Sequence, residues 1–174
     1  ESGELIVRAV PEMIFSQYPS TPHLEPFGPY DWDFLTRHVL SQVNTLVTGE
    51  VPDHLAEWQA EGRKWLVHAS LPGLGEKIPP SADQVYNTWL SNPGVIRREF
   101  GGIIVDEFML ASSELYQPWT EAMVRLQQNP DFAGKQFYAY CNDLFQNPYL
   151  PAFAFSQTLL LHNGRFALER YLPL

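Results

Sequence analysis

The sequence is short of cysteine, of clustered basic residues and of long apolar runs, and each shortage excludes a class of protein. Cys141 is the only cysteine among the 174 residues, so no internal disulfide can form. Lysine and arginine together number 11 against 20 acidic residues, which gives a net charge of −9. Because nucleic acids and anionic membranes attract basic surfaces, we expect neither as a partner. No run approaches the length of a transmembrane helix.

Phosphate-binding and nucleophile motifs are also missing. A first strand is predicted at residues 5–10, but Glu12, Met13 and Ile14 follow it where a dinucleotide-binding protein needs G-x-G-x-x-G. The patterns G-x-x-x-x-G-K-[ST] and G-x-S-x-G do not occur either. We therefore expect the protein to use no cofactor, and we interpret Cys141 as a small buried residue.

Apolar segments of strand-like and helix-like spacing alternate along the chain. This alternation is typical of βαβ units around a parallel sheet, so we predict an α/β fold in a single domain, residues 1–174. Ser81 and Gln84 form a capping-box pattern that predicts the start of one helix. Further strands are predicted at residues 45–49, 64–70, 103–107, 135–141 and 165–172, and helices at 31–43, 53–62, 81–91, 93–100, from 118, and 151–162.

Two architectures fit six βα units, an open doubly wound sheet and a (β/α) barrel. The missing glycine fingerprint weakens the open-sheet interpretation, so we favour the barrel. A complete eight-stranded barrel usually needs about 250 residues, and this sequence provides six strands. We therefore expect a partial barrel, either a fragment or one that residues or a chain not present here complete. Its open edges would need a cover.

The stretch from Gly101 to Phe108 is the most informative part of the sequence. Three β-branched residues, Ile103-Ile104-Val105, lead directly into the adjacent carboxylates Asp106 and Glu107. Such a run is typical of a buried strand in a parallel sheet. Parallel sheets place their ligand sites at the carboxyl ends of the strands, so both carboxylates are candidate catalytic residues.

Side chains alternate along a strand, so only one of these two carboxylates is expected on the ligand-side face. We favour Glu107, because it is nearer the tip of the strand and its longer side chain suits proton transfer. Asp106 would then orient a neighbour or cap the following turn. The alternative is that both residues simply cap loop and helix amides.

The segment ending in Glu107 resembles the fourth strand of the barrel glycoside hydrolases, in which an acid/base glutamate lies at the carboxyl end. That resemblance implies hydrolysis of a glycosidic bond in a carbohydrate substrate, and it favours a secreted or periplasmic location over the reducing compartment that a single cysteine indicates. Two features depart from the family patterns. The chitinase-type motif needs acids where Val105 and Ile103 stand, and the clan with Asn-Glu has Asp106 here in place of Asn.

Glycosidic hydrolysis normally needs a second carboxylate as nucleophile or base. The candidates that follow predicted strands are Glu12, Glu50 and Asp143, and Glu169 lies within the last one. We favour Glu12 and Asp143, since both are predicted at strand ends.

Aromatic and polar residues near the same ends are candidate substrate ligands. Tyr140 and Trp32 could stack against a sugar ring, and His68 and Asn142 could bond its hydroxyl groups. In contrast, the helical spacing of Trp58, Trp89 and Trp119 indicates core packing, and we expect Trp65 and Tyr138 in the core as well.

Two alternatives to a glycosidase stay open. One is a non-catalytic carbohydrate-binding or interaction domain on the same scaffold, which would keep the aromatic residues and lack the second carboxylate. The other is a metal-dependent enzyme in which Asp106, Glu107 and Asp143 hold Mg²⁺ or Ca²⁺, although no spacing in the sequence requires a metal.

Overall fold

The computed structural model describes residues 12–16, 31–48, 53–108, 113–141 and 150–168. Within these ranges the chain forms a six-stranded parallel sheet that curls into a half-barrel and alternates with helices. The strands lie in sequence order, so each pairs with the next one along the chain. They are β1 (Ile14–Phe15), β2 (Thr45–Thr48), β3 (Lys64–Ala69), β4 (Gly102–Val105), β5 (Gln136–Cys141) and β6 (Arg165–Leu168).

The expected α/β class with six parallel strands is confirmed. The described helices, apart from short 3-10 turns, are α1 (Trp32–His38), α2 (Leu55–Ala60), α3 (Ala82–Leu90), α4 (Pro93–Ile96), α5 (Tyr116–Gln128) and α6 (Leu150–Leu161). The predicted first strand at residues 5–10 lies outside the described residues, and β1 begins after it, at Ile14.

Local sequence explains where two of the helices begin and end. Ser81 accepts a hydrogen bond from the backbone of Gln84, whose side chain in turn accepts one from the Ser81 N–H, so the predicted capping box is confirmed. The next helix was predicted to reach Phe100, but α4 ends four residues earlier, at Ile96. Its C-cap, Arg97, is already extended, which turns the chain toward β4.

Lys135, the residue before β5, binds the segment that follows the early end of α4. Its ammonium group donates hydrogen bonds to the carbonyl oxygens of Gly94, Arg97 and Phe100, at 3.0, 2.6 and 2.8 Å. Gly94 belongs to α4 and Arg97 is its C-cap, where carbonyls lack intrahelical partners, and a buried carbonyl without a partner is costly. Burial lowers the pKa of Lys135, opposed by the nearby charge of Glu99.

The outer face of the sheet packs against the helices and forms most of the core. Trp58, Trp89 and Trp119 are 2%, 0% and 0% exposed, which confirms their expected role in helix-to-sheet packing. Each indole N–H donates to a backbone carbonyl, of Lys64, Ser70 and Pro72 respectively, so the large side chains are buried without an unsatisfied donor. Trp65 and Tyr138 are also buried, as expected.

No helix in the described ranges is long and apolar enough to cross a bilayer.

Candidate functional site

The concave face of the half-barrel has an apolar middle layer. Alternate residues of the strands meet there, and Val47, Leu66, Ile104, Tyr138 and Ala167 form one buried cluster. Because the strands are parallel and in register, the next residue on the same face of each strand lies closer to the carboxyl end. This layer therefore separates two polar regions, one at each end of the strands.

At the carboxyl end, β3 and β4 contribute a histidine and a carboxylate. His68 follows Leu66 on the concave face of β3, and Asp106 follows Ile104 of β4. The Nε2 atom of His68 lies 3.6 Å from the Oδ2 atom of Asp106. Their side chains are 39% and 29% exposed. A ligand at the open carboxyl end of the half-barrel, which we call its mouth, can therefore reach both.

Glu107, which was favoured for the concave face, lies just beyond the strand. β4 ends at Val105, and the alternation from Ile104 places Asp106 on the concave face. Glu107 is exposed and has a positive φ of 66°. A non-glycine residue adopts this left-handed conformation at a cost of about 1–2 kcal/mol. Such strain persists where the surrounding structure enforces it, and it is enriched at functional sites.

Both neighbours of Glu107 hold it in this conformation. Its backbone N–H donates to the Oδ1 atom of Asp106 at 2.7 Å. Phe108 is fully buried and stacks on Phe155 with ring centroids 4.7 Å apart, and its carbonyl accepts a hydrogen bond from the Tyr116 hydroxyl. Burial raises the pKa of Tyr116 to about 12, so it stays a neutral donor at physiological pH. The turn is thus fixed on both sides of the exposed carboxylate.

The Glu107 carboxylate itself is left available. Within the described ranges it has no hydrogen bond or ion pair to another side chain, whereas both oxygens of Asp106 face protein groups. The site therefore combines an engaged carboxylate with an adjacent one that is exposed to solvent.

Sequence reasoning missed one residue that fixes the position of His68. Asn92 donates from Nδ2 to the His68 carbonyl oxygen at 3.0 Å, and its Oδ1 accepts the N–H of Gly94 at 2.8 Å. Asn92 thereby joins the N-terminus of α4 to the end of β3. The signal was visible, since Asn-Pro-Gly is a helix-start pattern with asparagine as N-cap.

The remaining predicted ligands are placed in different regions. Tyr140 lies half-buried on the concave face of β5, two residues beyond Tyr138 and on the same side as Asp106. Trp32 instead starts α1 and packs on the outer face, stacked on His54 at 4.3 Å and on Trp65 at 6.3 Å. The structure thus brings His68, Asp106 and Tyr140 to one end and leaves Trp32 away from it.

Four other predicted residues lie outside the described residues, and they are Asn142, Asp143, Glu50 and Glu169.

Glu12 was expected to follow the first strand, but it precedes β1 and lies at the amino end of the sheet. Its carboxylate accepts hydrogen bonds from Thr45 at 2.6 Å, Tyr138 at 2.8 Å, Arg165 at 2.7 Å and Lys64 at 3.2 Å. Thr45, Lys64 and Arg165 are the first residues of β2, β3 and β6. The structure therefore separates Glu12 from the Asp106–Glu107 pair by the length of the strands.

These contacts change the ionisation of Glu12. Burial favours the neutral acid, but the hydrogen bonds from Thr45 and Tyr138 and the charge of Lys64 outweigh it, so the pKa of Glu12 lies below its ordinary value of 4.5. Tyr138 responds in the opposite direction, because burial and the neighbouring carboxylate both raise its pKa. Glu12 is thus a charged internal anchor at neutral pH.

A metal centre finds no support in the described part of the chain. No group of three or more histidine, cysteine, aspartate or glutamate side chains converges there. The alternative metal set included Asp143, which lies outside the described residues.

Comparison with known proteins finds no matching family model, no matching curated protein and no matching solved structure.

Proposed function

We propose that the carboxyl end of the half-barrel binds a carbohydrate and cleaves its glycosidic bonds, with Glu107 as the proton donor. The observation that carries this proposal is the conformation of Glu107. A strained residue holds an unengaged carboxylate at the end of β4, and Asp106 and Phe108 fix the turn around it. Among the described strands β4 is the fourth, where the resemblance to barrel glycoside hydrolases expects the acid/base glutamate.

Asp106 acts as a positioning residue in this proposal. One of its oxygens accepts the Glu107 N–H, and the other faces His68. An aspartate in this place orients the turn and also the imidazole, whose ring is partly exposed to the mouth. His68 can then bond a sugar hydroxyl, and the ring of Tyr140 on the neighbouring strand offers a face for stacking.

Hydrolysis also needs a nucleophile or base at a defined separation, about 5–5.5 Å from the acid for retention and about 6.5–9.5 Å for inversion. We propose Asp143 for this role. It comes two residues after Cys141, the last residue of β5, and β5 pairs directly with β4. Glu12 is unsuited because its carboxylate is engaged at the opposite end.

The experiment is a comparison of Glu107→Gln with Asp106→Asn on a panel of nitrophenyl glycosides. Glu107→Gln keeps the size of the side chain and removes the proton donor, so kcat should fall roughly 10²–10⁴-fold. Asp106→Asn should lose less, because the donor remains. Glu121→Gln, on the exposed surface of α5, is the matched control and should be unchanged. A Glu107→Gln protein with unaltered kcat, or no hydrolysis of any glycoside by the unmodified protein, contradicts the proposal.

A second candidate is carbohydrate binding without catalysis. It is favoured by one observation: His68, Asp106 and Tyr140 are partly exposed at the carboxyl end of the sheet, and such groups can bind a sugar without a second carboxylate. Calorimetric titration with an oligosaccharide separates the two functions. Binding that survives Glu107→Gln without hydrolysis by the unmodified protein identifies a binding domain.

A further inference from the structure

The carboxylate of Glu12 joins parts of the half-barrel that backbone hydrogen bonds do not join. In the described sheet β1 pairs only with β2, and β6 pairs only with β5, so these strands form its two edges. Yet Glu12, two residues before β1, reaches Arg165 at the start of β6 at 2.7 Å. The sheet curls so far that one ion pair bridges its edges.

The same carboxylate is also held by the strands between those edges. Thr45 belongs to β2, Lys64 to β3 and Tyr138 to β5, and each donates a hydrogen bond to one of the two Glu12 oxygens. β4 begins with Gly102 and offers no side chain there. One side chain that is 18% exposed thus connects β1 to every other strand except β4.

We propose that Glu12 is an ionic latch that holds the two edge strands of the half-barrel at a fixed separation, and that acid releases it. The ionised carboxylate accepts four hydrogen bonds and balances two cations, Lys64 and Arg165. A protonated or amide group in the same place cannot accept all four bonds, and it leaves both cations without a counter-charge. The amino end then opens, with β1 and β6 moving apart.

The direction of the pH dependence follows from the groups around Glu12. Facing it are Lys64 of β3, Arg165 of β6, the hydroxyl of Tyr138 and the neutral side chain of Thr45. Folding lowers the pKa of Glu12, because the hydrogen bonds from Thr45 and Tyr138 and the charge of Lys64 outweigh its burial. Its contribution to stability is therefore complete above the unfolded value near 4.5 and is lost as the pH falls through the lower folded value.

The test is an electron-spin distance measurement between the two edges. Spin labels are attached at Met13→Cys, next to β1, and at Leu168→Cys, the last residue of β6, which are 52% and 50% exposed, in a Cys141→Ala background that removes the native thiol. At pH 7 we expect one narrow distance distribution. In Glu12→Gln the distribution should be broader and longer, and acid should convert the unmodified distribution into that of the variant, with a midpoint below 4.5.

Glu99 provides the matched control. Its pKa is also lowered, chiefly by its own backbone N–H and by Arg97, but Arg97 lies two residues away along the chain. Glu99→Gln should therefore leave the distance unchanged. A Glu12→Gln protein with the same distribution and the same acid midpoint as the unmodified protein overturns the latch.

A second variant, which keeps the carboxylate, tests the proposal even if Glu12→Gln fails to fold. Arg165→Gln removes the tie to β6 and leaves the bonds from β2, β3 and β5 in place. It should fold, as judged by a cooperative thermal transition, and still show the longer distance at pH 7. An unchanged distance in Arg165→Gln also overturns the proposal. None of these readouts depends on the proposed hydrolysis at the other end of the sheet.

Discussion

At the amino end of the sheet, Glu12 accepts four hydrogen bonds, whereas at the carboxyl end Glu107 offers a carboxylate to solvent. Both ends belong to the same six strands and are separated by one apolar layer. At one end a carboxylate stabilises the fold, and at the other a carboxylate is held in a conformation that costs stability.

The contrast matches a division of labour known from parallel barrels, where the amino end contributes stability and the carboxyl end carries chemistry. Here the two ends differ in particular bonds. The charge of Glu12 is balanced inside the protein by Lys64 and Arg165. Glu107 has no ion pair within the described ranges, so its carboxyl group is free to meet a ligand.

The largest expected effect is at the amino end of β4. Gly102 has a φ of +133°, and an added Cβ would lie 2.0 Å from the backbone oxygen of Gln136. Gly102→Ala combines backbone strain with overpacking, so it should lower the free energy of unfolding by roughly 2–6 kcal/mol. Gly134 also has a positive φ, +81°, but an added Cβ meets nothing within 4 Å. Gly134→Ala should cost only about 1 kcal/mol. Equal losses in urea unfolding would refute the steric argument.

The next effect compares two tyrosines on the same face of β5. Tyr138→Phe removes a buried hydroxyl that donates to the charged Glu12, so unfolding at pH 7 should become easier by roughly 1.5–3 kcal/mol. Tyr140 is only half-buried at the mouth, so its side chain is less withdrawn from water than that of Tyr138. Tyr140→Phe should therefore change the free energy of unfolding by less than about 1 kcal/mol. A larger loss of unfolding free energy in Tyr140→Phe would mean that the carboxyl end also contributes to stability.

The smallest expected effect is a gain. Glu107→Gly relieves the left-handed strain at φ 66° and should raise the free energy of unfolding by about 1 kcal/mol while it removes the proposed proton donor. Asn163, at φ 61° after α6, is the control, because asparagine tolerates this conformation better than glutamate. Asn163→Gly should gain less. Thermal unfolding measures both variants, and a loss of stability in Glu107→Gly would show that its side chain supports the fold.

Much of the fold could be predicted from local patterns. Ile103, Ile104 and Val105 form a strand because β-branched residues suit a buried parallel sheet, and the Ser81 capping box starts α3. The end of β4 was placed two residues too far along, at Glu107. Asp106 binds a neighbouring backbone N–H in place of the strand ladder, and the sequence does not show which of these will prevail.

The amino-end cluster could not be predicted, because its contacts depend on how far the sheet curls. Glu12 meets Tyr138 and Arg165 across 126 and 153 residues of sequence. No periodicity within a segment reports such a distance. The position of Glu12 was also predicted from a strand at residues 5–10, whereas the strand it serves begins after it.

Lys135 limits which sequence changes the segment between α4 and β4 can accept. Its single nitrogen serves three carbonyls of the segment that leads into β4, while its own backbone leads into β5. An arginine spreads its hydrogens over a rigid planar fork, and a glutamine has only two, so neither can replace the ammonium group here. The amino end of β4, the strand that is followed by Asp106 and Glu107, is consequently anchored by the residue that leads into β5. An insertion between α4 and β4 would have to keep all three carbonyls within reach of that one atom.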